Sequence, residues 1–370
     1  MIVHNHHFWM AKALQQASKG FYSTHPNPRV GCVIVRDNRM IASGFHAVPG
    51  EAHAEINALS QINGDASGAT VYVTLEPCSH TGKTPPCADA LIRSKPATVI
   101  AAMQDPNPLV AGRGLEKLKL QGIEVQTNVM QTQASDLNKG FVKRVTTNKP
   151  YVRIKMGMSL DGRTALANGL SQWITCAESR KDVQFLRASS SVVLSTAATV
   201  LADEASLNVR LTAQELNQSV AVRQPVRAIV DSQLKLTGNE KLFTVKGEVW
   251  IFTSCEDREK INALEAKGCR IFVLTAGEDG RIDLEQLMVK LAELEINEVH
   301  TECGAQFSGA LIRNNLVDEI VIYMAPSLLG SKAQGLFDLG EISIMSDQIH
   351  LSLLDVRSIG NDIKITAKPE

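Results

Sequence analysis

The chain has 370 residues, a net charge of −1 at pH 7, and a composition that is 44% hydrophobic, 21% charged and 5% aromatic. This length exceeds what one hydrophobic core usually supports and predicts two domains, while the balanced charge and few aromatics give no sign of a nucleic-acid partner. No apolar run reaches the roughly 18 residues of a membrane span and the N-terminus lacks a signal-peptide pattern, so we expect a cytoplasmic protein without a membrane partner.

The first part of the chain alternates short apolar runs with helical patterns. Strands are predicted at residues 31–36, 40–45, 70–75 and 99–103, and helices at residues 8–20, 52–62, 86–94 and 114–121. Asp37-Asn38 is predicted to form the turn between the first two strands. Strands that alternate with helices are typical of α/β layer architectures.

A polar run that ends in proline, residues 146–150, is predicted to be a linker. The alternation then resumes, with strands predicted at residues 151–156, 191–195, 226–230, 249–253, 270–274, 298–301 and 319–324, and helices at residues 180–187, 257–267, 284–293 and 305–314. The sequence therefore predicts two α/β domains, residues 1–147 and 148–370.

Four residues of the first domain form a pattern typical of a hydrolytic zinc site. His53 and Glu55 lie at the start of a predicted helix, Cys78 follows a strand, and Cys87 begins another helix. One imidazole and two thiolates give Zn²⁺ three protein ligands and leave a fourth position for water, whose pKa the metal lowers. Glu55 is placed to move a proton from that water to the substrate and to the leaving ammonia. The set predicts a zinc-dependent deaminase.

The spacing of the two cysteines departs from the usual P-C-x-x-C pattern of nucleobase deaminases, because eight residues separate Cys78 from Cys87. His80 lies between them and could compete as a ligand, although a loop role is the preferred interpretation. Cys32, inside an apolar strand, is predicted to be a core thiol.

Four runs carry a resemblance to a known family: HPNPRVGCVIV (residues 25–35), GEAHAE (50–55), TLEPCSHTGKTPPC (74–87) and MQDPNPLVAGRG (103–114). They resemble the deaminase half of the bifunctional deaminase–reductases of riboflavin biosynthesis. The resemblance implies a cytidine-deaminase-like three-layer α/β/α domain and a phosphorylated ribosylamino-pyrimidine substrate that loses its 2-amino group as ammonia. It further implies that Asn27 lies near the substrate and that Lys83 approaches its phosphate or ring edge. An ordinary solvated loop lysine is the alternative for Lys83.

Gly112-Arg113-Gly114 follows a predicted strand and precedes a predicted helix, which is the context of a dinucleotide-binding motif. The third glycine of that motif is missing, because Lys117 occupies its position. We therefore interpret the pair of glycines as a turn and helix N-terminus within the deaminase domain.

The second domain has no G-x-G-x-x-G after a strand, so nicotinamide binding must be argued from other features. The run from Thr301 to Ala310 combines the end of a predicted strand, a glycine turn and the start of a helix. Free backbone N–H groups at such a helix N-terminus could bind a pyrophosphate. An ordinary strand–helix connection is the alternative.

Further runs resemble the reductase half of the same family: MGMSLDGRTA (residues 156–165), SQWIT (171–175), STAATVLADEASLNVR (195–210) and VDEIVIYMAPSLLG (317–330). This half is similar in plan to dihydrofolate reductase, and the resemblance implies an α/β domain that binds NADPH at the carboxyl ends of a mostly parallel sheet with an antiparallel edge. The implied reaction transfers a hydride to C1′ of the ring-opened ribosylamino group and yields a ribityl chain.

The resemblance also implies the residues that line this second site. Those on the cofactor side are Gly157, Trp173, Thr199, Asp203, Ser232, Gly304, Ala305, Gln306, Phe307, Ser308, Gly309 and Ala310. Those that hold the substrate are Ser171, Arg187, Leu207, Arg210 and Glu302, with Lys155 close to the open-chain sugar. A guanidinium binds phosphate through two hydrogen bonds, which suits the two arginines, and surface solvation is their alternative. Trp173 could instead be core, and Asp203 is the candidate for assisting ring opening or delivering a proton.

Two short segments depart from the pattern of the family. The family often shows Asp-Asp-Pro where this chain has Asp203-Glu204-Ala205, and Gly-Pro-Thr where it has Gly304-Ala305-Gln306. Both segments lie in loops that would contact ligands through the backbone. The differences should therefore affect the exact position of the backbone against the ligands more than the activity itself.

Three other functions are compatible with parts of the sequence. A nucleoside or tRNA deaminase with an inactive C-terminal domain would share the zinc site but would need a basic face and stacking aromatics. A zinc-stabilised binding module would not need Glu55 beside His53. The third possibility is that only one half is active. The resemblance also implies a homo-oligomer formed through the reductase domain.

Overall fold

The structure is a computed structural model that describes residues 5–80, 85–108, 110–277 and 280–370. Its packing divides the chain into two units, one comprising residues up to Asn148 with Thr212–Arg223, and the other comprising Lys149–Leu211 with Gln224–Glu370. The domain boundary between residues 147 and 148 stays a prediction.

The first unit is built on a five-stranded sheet in the order β2-β1-β3-β4-β5. The strands are β1 Gly31–Arg36, β2 Arg39–Phe45, β3 Thr70–Val73, β4 Thr98–Ala101 and β5 Glu124–Gln126. Strand β1 is antiparallel to both neighbours, whereas β3, β4 and β5 are parallel. Asp37 and Asn38 both have positive φ, as the tight turn of a two-residue hairpin requires, and they join β1 to β2 as predicted.

Helices cover both faces of this sheet. They are α1 His6–Ser18, α2 Ala54–Leu59, α3 Cys87–Ser94, α4 Arg113–Leu120, α5 Gln131–Leu137 and α6 Lys139–Thr147. Alternate side chains of β1 point to opposite faces. Cys32 and Ile34 pack with α2, α3 and α4, whereas Val33 and Val35 pack with α1 and α5. The unit is therefore the three-layer α/β/α domain that the resemblance implied.

The second unit is built on a nine-stranded sheet in the order β11-β10-β9-β8-β12-β6-β13-β16-β15. Its strands are β6 Tyr151–Ser159, β8 Val192–Thr196, β9 Val226–Val230, β10 Val249–Thr253, β11 Arg270–Val273, β12 Glu298–Thr301, β13 Glu319–Ala325, β15 Leu351–Ile359 and β16 Asp362–Pro369. The seven from β11 to β13 run parallel, and β16 and β15 form the antiparallel edge. A small separate ladder joins β7 Arg163–Ala165 to β14 Gln334–Gly335.

Helices also pack on both faces of the larger sheet. They are α7 Ala177–Ser189, α8 Ala197–Asp203, α9 Lys241–Thr244, α10 Arg258–Glu265, α11 Leu284–Glu293 and α12 Ala305–Arg313. One core joins Ile154 and Leu194 to α11 and α12, and a second core joins Val193 and Ile229 to α8 and α10. The mostly parallel sheet with an antiparallel edge agrees with the expected reductase plan.

The structure moves several predicted boundaries by a few residues, corrects the start of the linker and adds several elements. Thr146 and Thr147, predicted to start the linker, are the last residues of α6, and β6 begins at Tyr151. The elements that were not predicted are β5, α5, α6, β7, α8, α9, β14, β15 and β16. Across the described ranges, we find no helix with the length and apolar character that crossing a membrane requires.

Candidate functional sites

The first unit brings His53, Cys78 and Cys87 together. His53 caps α2, Cys87 is the first residue of α3, and Cys78 lies in the loop after β3. The Nδ1 atom of His53 is 3.2 Å from Sγ of Cys87 and 3.7 Å from Sγ of Cys78. Ligand atoms of all three residues lie within 4.8 Å of one another. Tetrahedral bonds of typical zinc length would separate nitrogen and sulfur by about 3.6 Å, so this donor set fits zinc.

Glu55 lies beside this cluster, in the first turn of α2. Its side chain is only 3% exposed and is hydrogen-bonded to the Cys87 side chain. Burial raises the pKa of Glu55 to about 7. A carboxyl group with such a pKa can both accept and donate a proton near neutrality, as a deaminase needs.

His46 connects Asn27 to the cluster. Nδ2 of Asn27 is 3.0 Å from Nε2 of His46, and Nδ1 of His46 is 3.3 Å from the carbonyl oxygen of Ala52. The carbonyl requires the His46 proton on Nδ1, so Nε2 accepts from Asn27. The His46 ring also meets the His53 ring edge-on, with centroids 5.3 Å apart. Sequence reasoning missed His46, and its position at the end of β2 was the available signal.

A second missed residue is Glu76, which precedes Pro77 and Cys78. Its buried carboxylate accepts four backbone N–H groups, from Asp105 at 3.1 Å, Gly112 at 2.9 Å, Gly114 at 2.8 Å and Leu115 at 3.4 Å. A Cβ at Gly114 would lie 2.0 Å from the Pro77 carbonyl oxygen, so only glycine permits this approach. Glu76 thereby ties the loop before α4 to the segment that carries Cys78. Gly112 caps α4, which agrees with the predicted helix N-terminus.

The remaining residues considered in the first site are Lys83, His80 and Cys32. Lys83 lies outside the described residues. His80 is exposed and is not part of the His53–Cys78–Cys87 cluster. Cys32 is fully buried in β1, which confirms the predicted core thiol.

The second unit contains a cavity of about 730 Å³ near the carboxyl ends of β6, β8 and β12. Most of the residues predicted for the reductase site line it: Lys155, Gly157, Ser171, Trp173, Arg187, Thr199, Asp203, Leu207, Arg210, Glu302 and Gly304. These residues are spread over the chain from β6 to the turn before α12, and the parallel strands bring them to one edge of the sheet.

A buried ion pair joins two of the lining residues. Arg187 Nε lies 2.5 Å from Oε1 of Glu302 and its Nη2 lies 2.9 Å from Oε2, while its Nη1 donates to the carbonyl of Asn208 at 2.9 Å. Burial alone would raise the pKa of Glu302, but the Arg187 guanidinium holds it well below its usual range. Burial also lowers the pKa of Lys155. The cavity therefore combines a fixed carboxylate with cationic groups suited to an anionic ligand.

Asp203 and Trp173 lie on more exposed parts of the lining. Asp203 ends α8 and accepts from the Ser171 hydroxyl at 3.3 Å. Glu204, which follows it, has positive φ and ends the helix, so the departure from the family pattern falls on a left-handed residue. Trp173 is 71% exposed with Arg180 over its ring, which excludes the interpretation of Trp173 as core.

Ser232 and residues 305–310 are not among the described residues that line this cavity. The Ser232 hydroxyl accepts the N–H of Ile282. On α12, Ser308 is buried, with its hydroxyl 3.5 Å from Sδ of Met156, and a Cβ at Gly309 would lie 2.0 Å from the carbonyl oxygen of Asp338. Packing accounts for Ser308 and Gly309, and the predicted cofactor contacts of Ser232 and residues 305–310 stay predictions.

Sequence reasoning also missed lining residues, of which Gln184 has the clearest contact. It lies on α7, close to Arg187 in sequence, and its Oε1 accepts the backbone N–H of Arg210 at 3.0 Å. Gln184 therefore fixes the chain at one predicted anion-binding arginine. The spacing of Gln184 and Arg187 on one helix face was the available signal.

Comparison with known proteins covers both units. Residues 150–365 match the family model described as the RibD C-terminal domain, and residues 3–103 match that of the cytidine and deoxycytidylate deaminase zinc-binding region. The riboflavin biosynthesis protein RibD of Escherichia coli is 45% identical over 362 residues, which are 96% of this chain and 97% of that protein. The chain belongs to the RibD family. It is accordingly a bifunctional deaminase–reductase of riboflavin biosynthesis.

Solved RibD structures resemble the whole chain. That of Acinetobacter baumannii RibD has a TM-score of 0.91 at 40% identity and covers 98% of both chains. A deaminase/reductase from Thermotoga maritima has a TM-score of 0.86 at 32% identity and also covers 98% of both chains. These full-length matches confirm the expected fold in both halves of the chain.

Proposed function

We propose that this chain deaminates 2,5-diamino-6-ribosylamino-4(3H)-pyrimidinone 5′-phosphate and then reduces the ribosyl group with NADPH, giving 5-amino-6-ribitylaminouracil 5′-phosphate. The Thermotoga maritima relative is named as a diaminohydroxyphosphoribosylaminopyrimidine deaminase and 5-amino-6-(5-phosphoribosylamino)uracil reductase. The observation that carries the deaminase half is the convergence of one imidazole and two thiols beside a buried carboxyl group.

In the deaminase, His53, Cys78 and Cys87 would hold a zinc ion, which when bound supplies a water of lowered pKa. Glu55 moves one proton of the attacking water to the ring nitrogen and the second proton to the departing amino group. The C2–NH₂ bond breaks, a C2–O bond forms, and ammonia leaves. Asn27, oriented by His46, hydrogen-bonds the substrate, and Lys83 approaches its phosphate or ring edge.

In the reductase, the cavity residues orient substrate and cofactor. Arg187 and Arg210 bind the phosphate, and Lys155 lies near the open-chain sugar. The cofactor NADPH supplies a hydride when bound. A proton, for which Asp203 is the candidate donor, completes the addition of two hydrogen atoms across the C1′–N bond. The combination of a fixed carboxylate, several cations and an open cavity in this unit supports the assignment.

The test is mass spectrometry of products formed from the phosphorylated diaminopyrimidine. Without NADPH, we expect replacement of one amino group by oxygen, with release of ammonia. With NADPH, we expect the further gain of two hydrogen atoms. Turnover of RNA oligonucleotides in place of this nucleotide, or reduction with no deamination, would contradict the proposal.

The proposal includes a homo-oligomer formed through the reductase domain. The edge strand β15 supports it, because Leu353, Leu354 and Val356 are 67%, 53% and 56% exposed. An apolar sheet edge of this kind is commonly covered by another chain. We also place the protein in the cytoplasm, since thiolate ligands such as Cys78 and Cys87 persist in a reducing compartment. Sedimentation of the purified protein tests the oligomer.

A further inference from the structure

His300 is a buried titratable residue that the proposed mechanism does not use. It lies on β12, in the middle of the large sheet, and its side chain is 0% exposed. Its register partners are Arg153 on β6 and Val193 on β8. His300 is not among the described residues that line the cavity. Burial of an imidazole destabilises the folded state unless its nitrogen atoms have polar partners, so the position of His300 requires an explanation.

The His300 imidazole contacts a residue that lines the cavity. Nε2 of His300 is 3.3 Å from Oε1 of Glu302. Neither ring nitrogen of His300 makes an aligned hydrogen bond among the described residues, so Nε2 meets Glu302 Oε1 as a close polar contact. Since Glu302 Oε1 also accepts from Arg187, the carboxylate has one partner that lines the cavity and one that lies within the sheet.

The charges around His300 favour a neutral imidazole that donates. Arg187 on α7 and Arg153 on β6 face it, and Arg153 is itself paired with Glu319 on β13. Burial and the two guanidinium groups lower the pKa of His300. A neutral imidazole carries one N–H, and Glu302 is the acceptor that would keep it on Nε2.

We propose that His300 is a positioning residue for the reduction, which holds the Glu302 carboxylate from within the sheet while Arg187 engages the anionic group of the substrate. This inference rests on the proposed function of the cavity. Once an anion binds, the Arg187 guanidinium donates to two acceptors, the anion and the Glu302 carboxylate. Its hydrogen bonds to Glu302 weaken as the guanidinium turns toward the ligand. The His300 N–H does not compete for the ligand and keeps Glu302 in place.

The test compares two variants of the full-length protein. His300→Leu removes the donor, and we expect kcat for NADPH-dependent reduction to fall about tenfold, the usual effect of losing a hydrogen bond to a charged group. The Michaelis constant for NADPH and the rate of deamination should not change. His300→Gln keeps an N–H near the same position and should restore the reduction to within about threefold of the unmodified protein.

The pH profile separates positioning from simple packing. Without the His300 donor the pKa of Glu302 rises, so the acid limb of the reductase kcat/KM profile should move to higher pH in His300→Leu. Besides His300, the charged groups that bear on Glu302 are Arg187, Lys155 and Arg210, and all three remain. Val193→Ala is the matched control, because it removes buried volume beside His300 without changing a polar contact. It should lower the unfolding midpoint and leave the profile in place.

Unchanged reduction in His300→Leu would overturn the inference. Equal losses in His300→Leu, His300→Gln and Val193→Ala would also overturn it, because they would indicate a packing role alone. If the unmodified protein deaminates but reduces nothing, the proposed function of the cavity fails first, and the inference fails with it.

Discussion

The two sites differ in how the chain assembles them. The zinc-type site uses His53, Glu55, Cys78 and Cys87, which lie between residues 53 and 87, at the starts of helices or in the loop after β3. The reductase cavity gathers residues from Lys155 to Gln334, on strands, helices and loops far apart in the chain. A metal site is defined by a few side-chain atoms, whereas a cofactor cavity depends on shape and backbone position. Removal of one ligand atom should therefore abolish deamination. Single substitutions in the cavity should instead lower the rate of reduction by different, partial amounts.

The largest effect is expected from Cys87→Ala. Loss of one thiolate should abolish zinc binding and deamination, while reduction of deaminated substrate continues at its normal rate. Zinc content per chain and ammonia release are the two measurements. Cys255→Ala, which alters a half-buried thiol of the second unit, is the control and should retain zinc. A Cys87→Ala protein with full zinc content would remove Cys87 from the ligand set.

The second-largest effect is expected from substitution of Glu55, the residue proposed to transfer protons in the deamination. Glu55→Gln should lower the rate of deamination by about 10²–10⁴-fold, the usual contribution of a general acid–base group, with zinc content unchanged. Ammonia release measures the loss, and NADPH oxidation with deaminated substrate should be unaffected. The exposed neighbour Glu51→Gln is the matched control. If the substitution of Glu55 also stopped the reduction, the two sites would not be independent.

The difference between the sites also explains which site residues could be predicted from the sequence and which were missed. The three ligands and Glu55 were predicted because each carries a side-chain type that zinc chemistry demands. Glu76 and His46 were missed, since their contacts are with backbone and ring atoms, and the position of His46 at the end of β2 was the one local signal. The residues from Ala305 to Ala310 were predicted from a helix N-terminus, but buried packing occupies at least Ser308 and Gly309.

The strands also differ in how well the local sequence predicts them. Strands such as β9 and β10 were predicted with their observed bounds, because short, mostly apolar runs mark buried parallel strands. Strand β15 was not predicted. Its apolar residues are exposed, and a register shift between Leu353 and Asp355 breaks its alternation. Strand β5 has only three residues, too few for a period to appear.

The reductase cavity can be tested through its buried ion pair. Arg187→Leu leaves the Glu302 carboxylate uncompensated, and we expect the free energy of unfolding of the second unit to fall by about 3–5 kcal/mol. Reduction should fall together with stability. The double variant Arg187→Leu with Glu302→Leu should recover most of the stability, because an apolar pair can replace a buried ion pair, but not the reduction. Urea unfolding and NADPH oxidation measure the two quantities. A double variant that recovers both would show that the pair is only structural.

The smallest effect is expected at the exposed rim of the same cavity. Asp203→Asn keeps the size of the side chain but removes its charge, so we expect NADPH oxidation to slow by about tenfold with no change in unfolding or in deamination. Ser171→Ala removes the hydroxyl that donates to Asp203 and should cause a smaller loss. If Ser171 acts only by orienting Asp203, the double variant should be no slower than Asp203→Asn alone. Additive losses would instead mean that Ser171 contacts the ligand independently of Asp203. Each of these hydrogen bonds would then contribute its own partial share to the rate of reduction, as expected of a cavity assembled from dispersed residues.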